Sequence, residues 1–364
     1  MLETPSSADN EHARRSPTVT LTQVAERAGV SRATAARALG GYGSVSPAAR
    51  ERVRAAAASL RYRPNLLARN TRTGMTTTVG VVVADISSPF FGQSTRSISD
   101  AAKTAGLEIM VLNTDEELEA ERAAVHLLLA QRVAGMIVAP SSRADVRHLA
   151  EVQAEGVGLV LLDRRVRGLD VDQVYADNHA GAVHAMAHLT AAGHRRIGYV
   201  SSAAGPQGHP AGAPLVIDDL ATSAGDRIRA YVAALEELGE DAYRHLTLCP
   251  FGEDAAYEAT RELLGRRDRP TAVFASDSVI ALGVLRAVAD AGLAIPADVA
   301  VVAGDEPVWS RVTMPPLATV TQPVADLGRR ALELLALRLA DPGRPAVDVV
   351  LPTTYQARAS AGTS

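Results

Sequence analysis

Two patterns of apolar residues divide the chain into two parts. Between residues 18 and 60, short apolar series recur at the spacing of an amphipathic helix, as in Val53, Ala57 and Leu60. From Thr78 onward, apolar runs of four to six residues alternate with longer amphipathic stretches. The first pattern predicts a small helical module, and the second predicts buried parallel strands separated by helices.

The helical module is predicted to contain three short helices with recognisable caps. Thr20 and Gln23 form a T-x-x-Q capping pair before the first helix, and Gly29 ends that helix. Ser31 is placed to cap the second helix, and Ser46 to cap the third. A helix, a glycine turn and a second helix together predict a helix-turn-helix.

The second part of the chain predicts two similar α/β lobes. Alternating strands and helices imply an open parallel sheet in each lobe, covered on both faces. In such sheets a ligand lies beyond the carboxyl ends of the strands, which here places it in the cleft between the lobes. The predicted strands are 79–84, 108–112, 135–139, 158–162, 196–200, 272–275 and 299–303, and the predicted helices are 93–105, 118–131, 145–154, 226–238 and 279–291.

Charge separates the same two parts. The whole chain carries a formal net charge of −4, from 37 basic and 41 acidic residues. Residues 1–75 contain 12 arginines and five acidic residues, which gives +7, so the remainder carries −11. A basic helical module joined to an acidic body indicates a nucleic-acid-binding domain attached to a domain with another role.

Composition and motifs exclude several classes of protein. No apolar run reaches the length of a membrane span, and the N-terminus lacks an apolar signal segment, so we expect a cytoplasmic protein with no membrane partner. Cys249 is the single cysteine, which excludes an internal disulfide. His184 and His188 share a helical face, but Ala185 stands where a zinc protease needs glutamate. Phosphate-loop, dinucleotide and nucleophile-elbow motifs are missing, so we predict no enzyme, no cofactor and no metal.

The helical module and the body both resemble the LacI/GalR family of bacterial transcriptional regulators. In the module the resemblance lies in residues 20–39, Val45-Ser46-Pro47, 50–53, 62–65 and 72–74. In the body it lies in segments such as GVVVADISSPFF, VYADNHAG and ASDSVIALGVL, which also resemble periplasmic sugar-binding proteins. The resemblance implies a small all-α helix-turn-helix domain followed by a two-lobed, periplasmic-binding-protein-like α/β body with parallel sheets.

This resemblance implies four segments along the chain. They are a disordered N-terminal extension (1–17), a helix-turn-helix domain (18–63), a hinge (64–77) and an effector-binding and dimerisation domain (78–364). The first lobe of the last domain is expected to comprise about 78–175 and 321–350, and the second lobe about 176–320 and 351–364.

The resemblance also assigns DNA contacts to the second helix and to the hinge. In the family, side chains at the N-terminal end of the second helix reach base edges in the major groove. Arg37 is suited to guanine, Ala33 to an apolar base contact, and Ser31 to phosphate. The contacts predicted in this way are Ser31, Arg32, Ala33, Thr34, Arg37, Asn65, Leu67, Ala68 and Arg69.

The hinge departs from the family pattern at one position. The family usually places a leucine two residues after the arginine that matches Arg69 and wedges it between base pairs, whereas this chain has Thr71. Threonine is a poorer wedge than leucine, so the DNA kink is expected to be absent or smaller. Alternatively, the hinge serves only as a linker whose Asn65 and Arg69 contact phosphates.

A small effector is expected in the cleft between the lobes. Carboxylates accept hydrogen bonds from paired hydroxyls, arginine donates to two of them, and an aromatic ring supports an apolar ring face, which suits a sugar or similar polyol. Asp277 has the alternative role of capping the helix that begins at Ser278. The contacts predicted from the family are Asp85, Phe90, Phe91, Asp163, Arg227, Ser276, Asp277 and Asp305.

Three departures from the family pattern leave the identity of the effector open. The family commonly has asparagine where this chain has Ser276, and a Gly-aromatic-Asp-Asp run where it has Ala303-Gly304-Asp305-Glu306. Segment 205–223 is about ten residues longer than expected, and its Gly and Pro content predicts an irregular loop. This loop either covers the cleft or decorates the surface.

Together these features predict a sequence-specific transcriptional regulator, with repression favoured. A homodimer or tetramer would bind double-stranded DNA at an inverted-repeat operator, under the control of a small carbohydrate effector that acts as inducer or corepressor. Two alternatives remain at this stage. One is a sugar-binding transport protein, and the other is a sugar-modifying enzyme that uses Asp163 and Asp277 as a carboxylate pair.

Overall fold

The computed structural model describes residues 19–40, 43–62, 76–202 and 215–362. These residues divide into a head, which lies within residues 1–75, and a body, which lies within residues 76–364. The expected N-terminal extension lies outside these ranges, as do hinge residues 64–75. Within the four ranges, no helix combines the length and apolar character that crossing a bilayer requires.

The head is a bundle of three short helices, α1 (Leu21–Ala28), α2 (Arg32–Gly40) and α3 (Pro47–Ser59), as the apolar spacing predicts. Thr20 and Gln23 complete the predicted capping box of α1. Ser31 caps α2, because its Oγ accepts a hydrogen bond from the Thr34 backbone N at 3.1 Å. Val24 and other small apolar side chains from all three helices form the core.

The body consists of twelve strands and eight α-helices among its described residues. The strands are β1 (Thr78–Val83), β2 (Glu108–Asn113), β3 (Gly135–Val138), β4 (Gly158–Leu162), β5 (Asp172–Ala176), β6 (Ile197–Ser201), β7 (Leu246–Leu248), β8 (Ala272–Ala275), β9 (Ala300–Ala303), β10 (Ala318–Thr321), β11 (Asp348–Leu351) and β12 (Thr354–Gln356). The helices are α4 (Pro89–Thr104), α5 (Leu118–Ala130), α6 (Arg147–Ala154), α7 (Asn178–Ala191), α8 (Thr222–Glu236), α9 (Glu253–Leu264), α10 (Ser278–Asp290) and α11 (Val324–Ala340).

These strands form two six-stranded sheets, one in each lobe. The first sheet has the order β11-β5-β4-β3-β1-β2, and the second has the order β12-β10-β9-β8-β6-β7. All neighbouring strands are parallel except β10 and β12, which are antiparallel at the edge of the second sheet. The prediction of an α/β body with two lobes of mainly parallel strands is therefore confirmed.

The chain passes between the two sheets three times, after β5, after β10 and after β11. Helix α11 follows β10 of the second sheet but packs in the core of the first lobe. Residues at the carboxyl ends of strands from both sheets line one shared cleft. This arrangement positions the candidate site.

The close packing of α4 against α11 is predicted to contribute to the stability of the first lobe. A Cβ on Gly328 would lie 2.3 Å from the backbone oxygen of Ser94, which cannot move unless the helices separate. We expect Gly328→Ala to lower the free energy of unfolding by about 1–3 kcal/mol, even though alanine favours helix. Urea denaturation of the full chain measures this loss.

Gly343→Ala is the matched control, because its added Cβ would meet only the Asp341 side chain, at 3.7 Å. This control should retain the parent's stability. An equal loss in both variants would contradict the packing explanation.

Candidate functional site

A cavity of about 310 Å³ lies where the carboxyl ends of strands from both sheets meet. Asp85 follows β1 and Asp163 follows β4 in the first lobe, whereas Ser276 follows β8 and Asp305 follows β9 in the second. All eight residues predicted as effector contacts line this cavity. Its volume is at the lower end of the range for small-molecule sites, about 300–1,000 Å³.

Other residues of the cavity wall were missed in the sequence. Gln322 follows β10, and Ser201 ends β6. Ligand contacts are expected at the carboxyl ends of parallel strands, but the predicted strands did not include β10, and β6 was predicted to end one residue before Ser201. Ser223 and Phe251 come from segments without an apolar run and gave no such signal. The missed residues are Ser88, Asp115, Glu116, Arg164, Ser201, Ser202, Ala221, Ser223, Ala224, Phe251 and Gln322.

Aromatic rings provide the apolar part of the cavity. Phe90 and Phe91 begin α4, and their rings meet edge to face with centroids 5.1 Å apart. The guanidinium carbon of Arg164 lies 5.8 Å from the Phe91 ring centroid. Phe251 reaches the cavity from the second lobe and is 37% exposed. Rings beside carboxylates match the alternating apolar and hydroxyl-rich surfaces of a sugar.

Asp163 is the buried carboxylate of the first lobe. A φ angle of 69° turns the chain sharply at this residue, directly after β4. The Ser223 hydroxyl, from the second lobe, donates to Asp163 Oδ2 at 3.2 Å. Burial raises the pKa of the Asp163 carboxyl, although the nearby Arg164 and Arg227 act in the opposite direction. Asp163 is therefore an acceptor that both lobes surround.

Asp305 is the corresponding carboxylate of the second lobe. Desolvation raises its pKa to about 6, against the lowering effect of Arg227. Gln322 Nε2 donates to Asp305 Oδ1 at 2.6 Å, and the Ser278 backbone N donates to Oδ2 at 3.3 Å. Gln322 Oε1 is buried and has no partner among the described residues. A ligand hydroxyl could satisfy this acceptor.

Asp277 has the predicted capping role and also lines the cavity. Its Oδ1 caps α10 by accepting from the backbone N atoms of Val279 and Ile280 at 2.9 and 3.0 Å. Its Oδ2 accepts from the Ser276 hydroxyl at 2.8 Å, and the residue also lines the cavity. The helix cap therefore holds the carboxylate at the cavity wall.

Arg227 is oriented from the second lobe by a buried partner. Its Nη2 donates to Asn178 Oδ1 at 2.7 Å, and Asn178 is 2% exposed. Arg227 also lies close enough to influence the pKa values of Asp163 and Asp305. It is thus a positive charge shared by carboxylates of both lobes.

Side chains that could support other chemistry have structural roles. His188 packs on Tyr355 with ring centroids 5.3 Å apart, and His184 is exposed. Cys249 is buried, and desolvation raises its thiol pKa to about 11, so the nucleophilic thiolate is scarce at neutral pH. Among the residues that the structure describes, no group of three or more His, Cys, Asp or Glu could hold a metal ion.

A second candidate surface lies on the head, at the N-terminal end of α2. Ser31, Arg32 and Ala33 are exposed there, and Thr34 and Arg37 are partly exposed. Arg37 Nη2 lies 3.5 Å from Thr34 Oγ1, its one side-chain hydrogen-bond partner among the described residues. Across 19–40 and 43–62, none of the seven arginines makes an ion pair with a carboxylate. The positive charge of this surface is therefore not neutralised within the head.

The predicted hinge contacts Asn65, Leu67, Ala68 and Arg69 lie outside the described residues, as does Thr71.

Comparison with known proteins matches both parts of the chain. Residues 20–65 match the model for bacterial regulatory proteins of the lacI family, and residues 186–361 match that for a periplasmic binding protein-like domain. The HTH-type transcriptional regulator GalR of Escherichia coli (strain K12) is 33% identical over 331 residues, which cover 91% of this chain and 91% of GalR.

Solved structures show the same similarity in three dimensions. The lac repressor dimer bound to operator and the anti-inducer ONPF has a TM-score of 0.79 and 26% identity, over 94% of this chain and 99% of that chain. The complex of the transcriptional regulator CelR with cellobiose has a TM-score of 0.67 and 30% identity, over 94% of this chain and 99% of that chain.

The raised pKa of Asp305 predicts a pH dependence of stability. Because the folded-state pKa is about 6 and the ordinary value is 3.8, the protonated carboxyl stabilises the fold at low pH, and this contribution is lost as the pH rises through 6. Asp305→Asn cannot ionise, so the variant should not lose this contribution. The difference in free energy of unfolding, variant minus parent, should therefore be larger at about pH 7.5 than at about pH 4.5, by about 1–3 kcal/mol. Urea denaturation at both pH values measures the difference.

The substitution preserves the hydrogen bonds of the site. An asparagine can accept from the Ser278 backbone N, and its Nδ2 can donate to Gln322 Oε1 once the Gln322 amide rotates by half a turn, which replaces the bond that Gln322 Nε2 donates in the parent. Asp254→Asn is the control, because its side chain is 92% exposed in the same lobe. Parallel stability profiles for Asp305→Asn and the parent would show that Asp305 is not the source of the pH dependence.

Proposed function

Because the chain belongs to the lacI family of bacterial regulatory proteins, we propose that it is a transcriptional repressor controlled by a carbohydrate effector. A homodimer binds an inverted-repeat operator through its heads, and the effector binds in the cavity between the lobes. The observation that carries this proposal is a cavity lined by carboxylates and aromatic rings of both lobes, in a chain that also has an arginine-rich helix-turn-helix.

The exposed end of α2 supports the DNA-binding part of the proposal. Arginines without carboxylate partners remain free to neutralise phosphates and to donate to guanine. Ser31 Oγ accepts from the Thr34 backbone N, and its hydroxyl stands at the helix N-terminus, where phosphate contacts are favoured. Asn65, Leu67, Ala68 and Arg69 of the hinge belong to the same proposal. The structural relative bound to operator is a dimer, which fits a symmetric site.

The distribution of acceptors supports the effector part of the proposal. Asp163 belongs to the first lobe, whereas Asp277 and Asp305 belong to the second, so one polyol can bond to both lobes at once. A ligand that does so favours one arrangement of the lobes and can shift DNA affinity by this preference. The CelR relative holds cellobiose, a ligand of the same chemical class.

The two alternatives from the sequence have less support. GalR is a regulator, and it matches this chain over 91% of its length, head included, which a transport protein would not require. An enzyme would need Asp277 free for proton transfer, but both oxygens of that carboxylate already accept hydrogen bonds.

Arg37→Ala tests sequence reading by α2. We expect the variant to lose discrimination at one base pair of each half-site, worth about 1–3 kcal/mol, while other positions keep their preferences. The preference is measured by selecting binding sites from a randomised inverted-repeat DNA library with the full-length protein. Anisotropy titrations of the selected sites then give their affinities. Arg54→Ala is the control, an exposed arginine on α3. Uniform weakening across all sequences would limit Arg37 to a phosphate contact.

A panel of D-galactose, D-ribose and cellobiose tests the effector. A sugar that binds the folded state raises the thermal midpoint, and the same sugar should change operator affinity measured by anisotropy. Asp163→Asn should weaken that sugar's affinity about tenfold or more, since one of the two acceptor oxygens at a buried position becomes a donor. Asp254→Asn should leave the affinity unchanged. A sugar that binds without altering operator affinity would oppose the effector role.

A further inference from the structure

Arg143 of the first lobe reaches across the cleft although it does not line the cavity. Its Nη1 donates to the backbone oxygen of Asp218 at 2.8 Å and to that of Leu220 at 3.3 Å. Both acceptors belong to the segment that precedes α8 in the second lobe. One guanidinium therefore holds two backbone oxygens of the opposite lobe.

Arg165 makes a second connection between the lobes. Its backbone N donates to Thr222 Oγ1 at 2.7 Å, and Thr222 is 3% exposed. Its guanidinium Nη2 lies 3.2 Å from Asp226 Oδ2, and its guanidinium carbon lies 5.0 Å from the Tyr175 ring centroid. The ion pair is thus braced by an aromatic ring of the first lobe.

The loop that carries Arg143 is fixed within its own lobe. Glu121, which is 1% exposed, accepts from the Ser141 backbone N at 2.5 Å. The other oxygen of Glu121 lies 2.6 Å from Nε2 of the buried His148. A buried polar pair of this kind holds the loop backbone in one position. Arg143 therefore extends from a rigid base.

The opposite side of the contact is equally fixed in the second lobe. Leu220 is 9% exposed and packs in the core of that lobe. The Ile217 oxygen lies close to the first turn of α8, where a Cβ on Gly225 would be 3.1 Å away. Arg229 Nη1 donates to Asp218 Oδ1 at 3.0 Å. Because each side is held by its own lobe, separation of the lobes must break these contacts.

We propose that Arg143 and Arg165 are positioning residues that latch segment 215–226 of the second lobe onto the first, and so set the closed spacing of the cleft. Ala221, Ser223 and Ala224 lie in the latched segment and line the cavity. Opening the latch removes this part of the wall from the first-lobe side. The consequence for the effector rests on the proposed function, but the geometry of the latch does not.

The latch gives a role to part of the long segment noticed in the sequence. Residues 203–214 lie outside the described residues, whereas 215–223 contribute Ala221 and Ser223 to the cavity wall. For this described part, covering the cleft is favoured over decorating the surface. Two arginines that lie outside the cavity thereby determine how well it is enclosed.

The latch also determines how much of the free energy of effector binding is needed to close the cleft. When the closed state is well populated without ligand, apparent affinity approaches the intrinsic affinity of the closed site. When the latch is removed, the effector must supply that part of the closing free energy itself. Affinity therefore falls without any change in a residue that touches the ligand.

Interlobe distance tests the latch directly. Spin labels at Glu117→Cys and Asp254→Cys flank the cleft, since these positions lie at the N-terminal ends of α5 and α9, after the edge strands β2 and β7. Cys249 is 4% exposed, so the labelling reagent should spare it. Pulsed dipolar spectroscopy on the full chain, diluted with unlabelled protein, reports distances within one subunit.

Removal of both arginines, Arg143→Ala with Arg165→Ala, should shift the distances to longer values and broaden their distribution. Thr222→Val removes one acceptor from the other lobe with little change in volume, and should give a smaller shift in the same direction. The matched control is Arg147→Ala with Arg167→Ala, two exposed arginines of the same lobe without a described contact to the second lobe. An unchanged distribution in all the latch variants would overturn the proposal.

Calorimetry with cellobiose tests the positioning role. We expect affinity about tenfold weaker in the double latch variant and parental affinity in the arginine control. Equal affinities in the two variants would overturn the positioning role. If cellobiose fails to bind the parent, the result counts against the proposed sugar class, and the distance measurement still decides the latch.

Discussion

The candidate site depends most on the burial of carboxylates where the ends of two parallel sheets meet. Asp163 and Asp305 both have raised pKa values, so the fold holds acidic groups where their charged forms are disfavoured. Arg227 opposes this effect from between them, and Gln322 donates to Asp305. These partners only partly replace water. A ligand rich in hydroxyl groups can provide the remaining donors, which is the physical basis for proposing a polyol at this site.

Arginine has different roles in the two parts of the chain. The described arginines of the head lack carboxylate partners, so their charge remains available to an external anion. Most basic residues of the body are instead paired with carboxylates, as Arg164 is with Glu116 and Arg338 is with Asp172. The described head therefore offers its positive charge to an external anion, whereas much of the positive charge of the acidic body is neutralised within the body itself.

The sequence predicts the site best where chemistry follows a buried strand. Asp85, Asp163 and Asp305 each come just after an apolar run that forms a strand. In an open parallel sheet the carboxyl ends of such strands lie at the same edge, which here borders the cavity. Ser223 and Phe251 enter from segments with no periodic signal, so only the packed structure brings them there. The bonds from Arg143 go to backbone oxygens, which no side-chain pattern reveals. The hinge contacts remain predictions from the family resemblance.

Under the proposed function, the positions of the carboxylates and of the latch together account for control by a small ligand. A polyol can bond to Asp163 and Asp305 simultaneously only when the lobes are close, so binding and closure are linked thermodynamically. Arg143 and Arg165 favour the same closed spacing from outside the cavity. The strength of their contacts therefore sets how much closure occurs without the ligand. A weak latch leaves more of the transition to the effector, which gives a larger response but lower affinity, whereas a strong latch has the opposite effect.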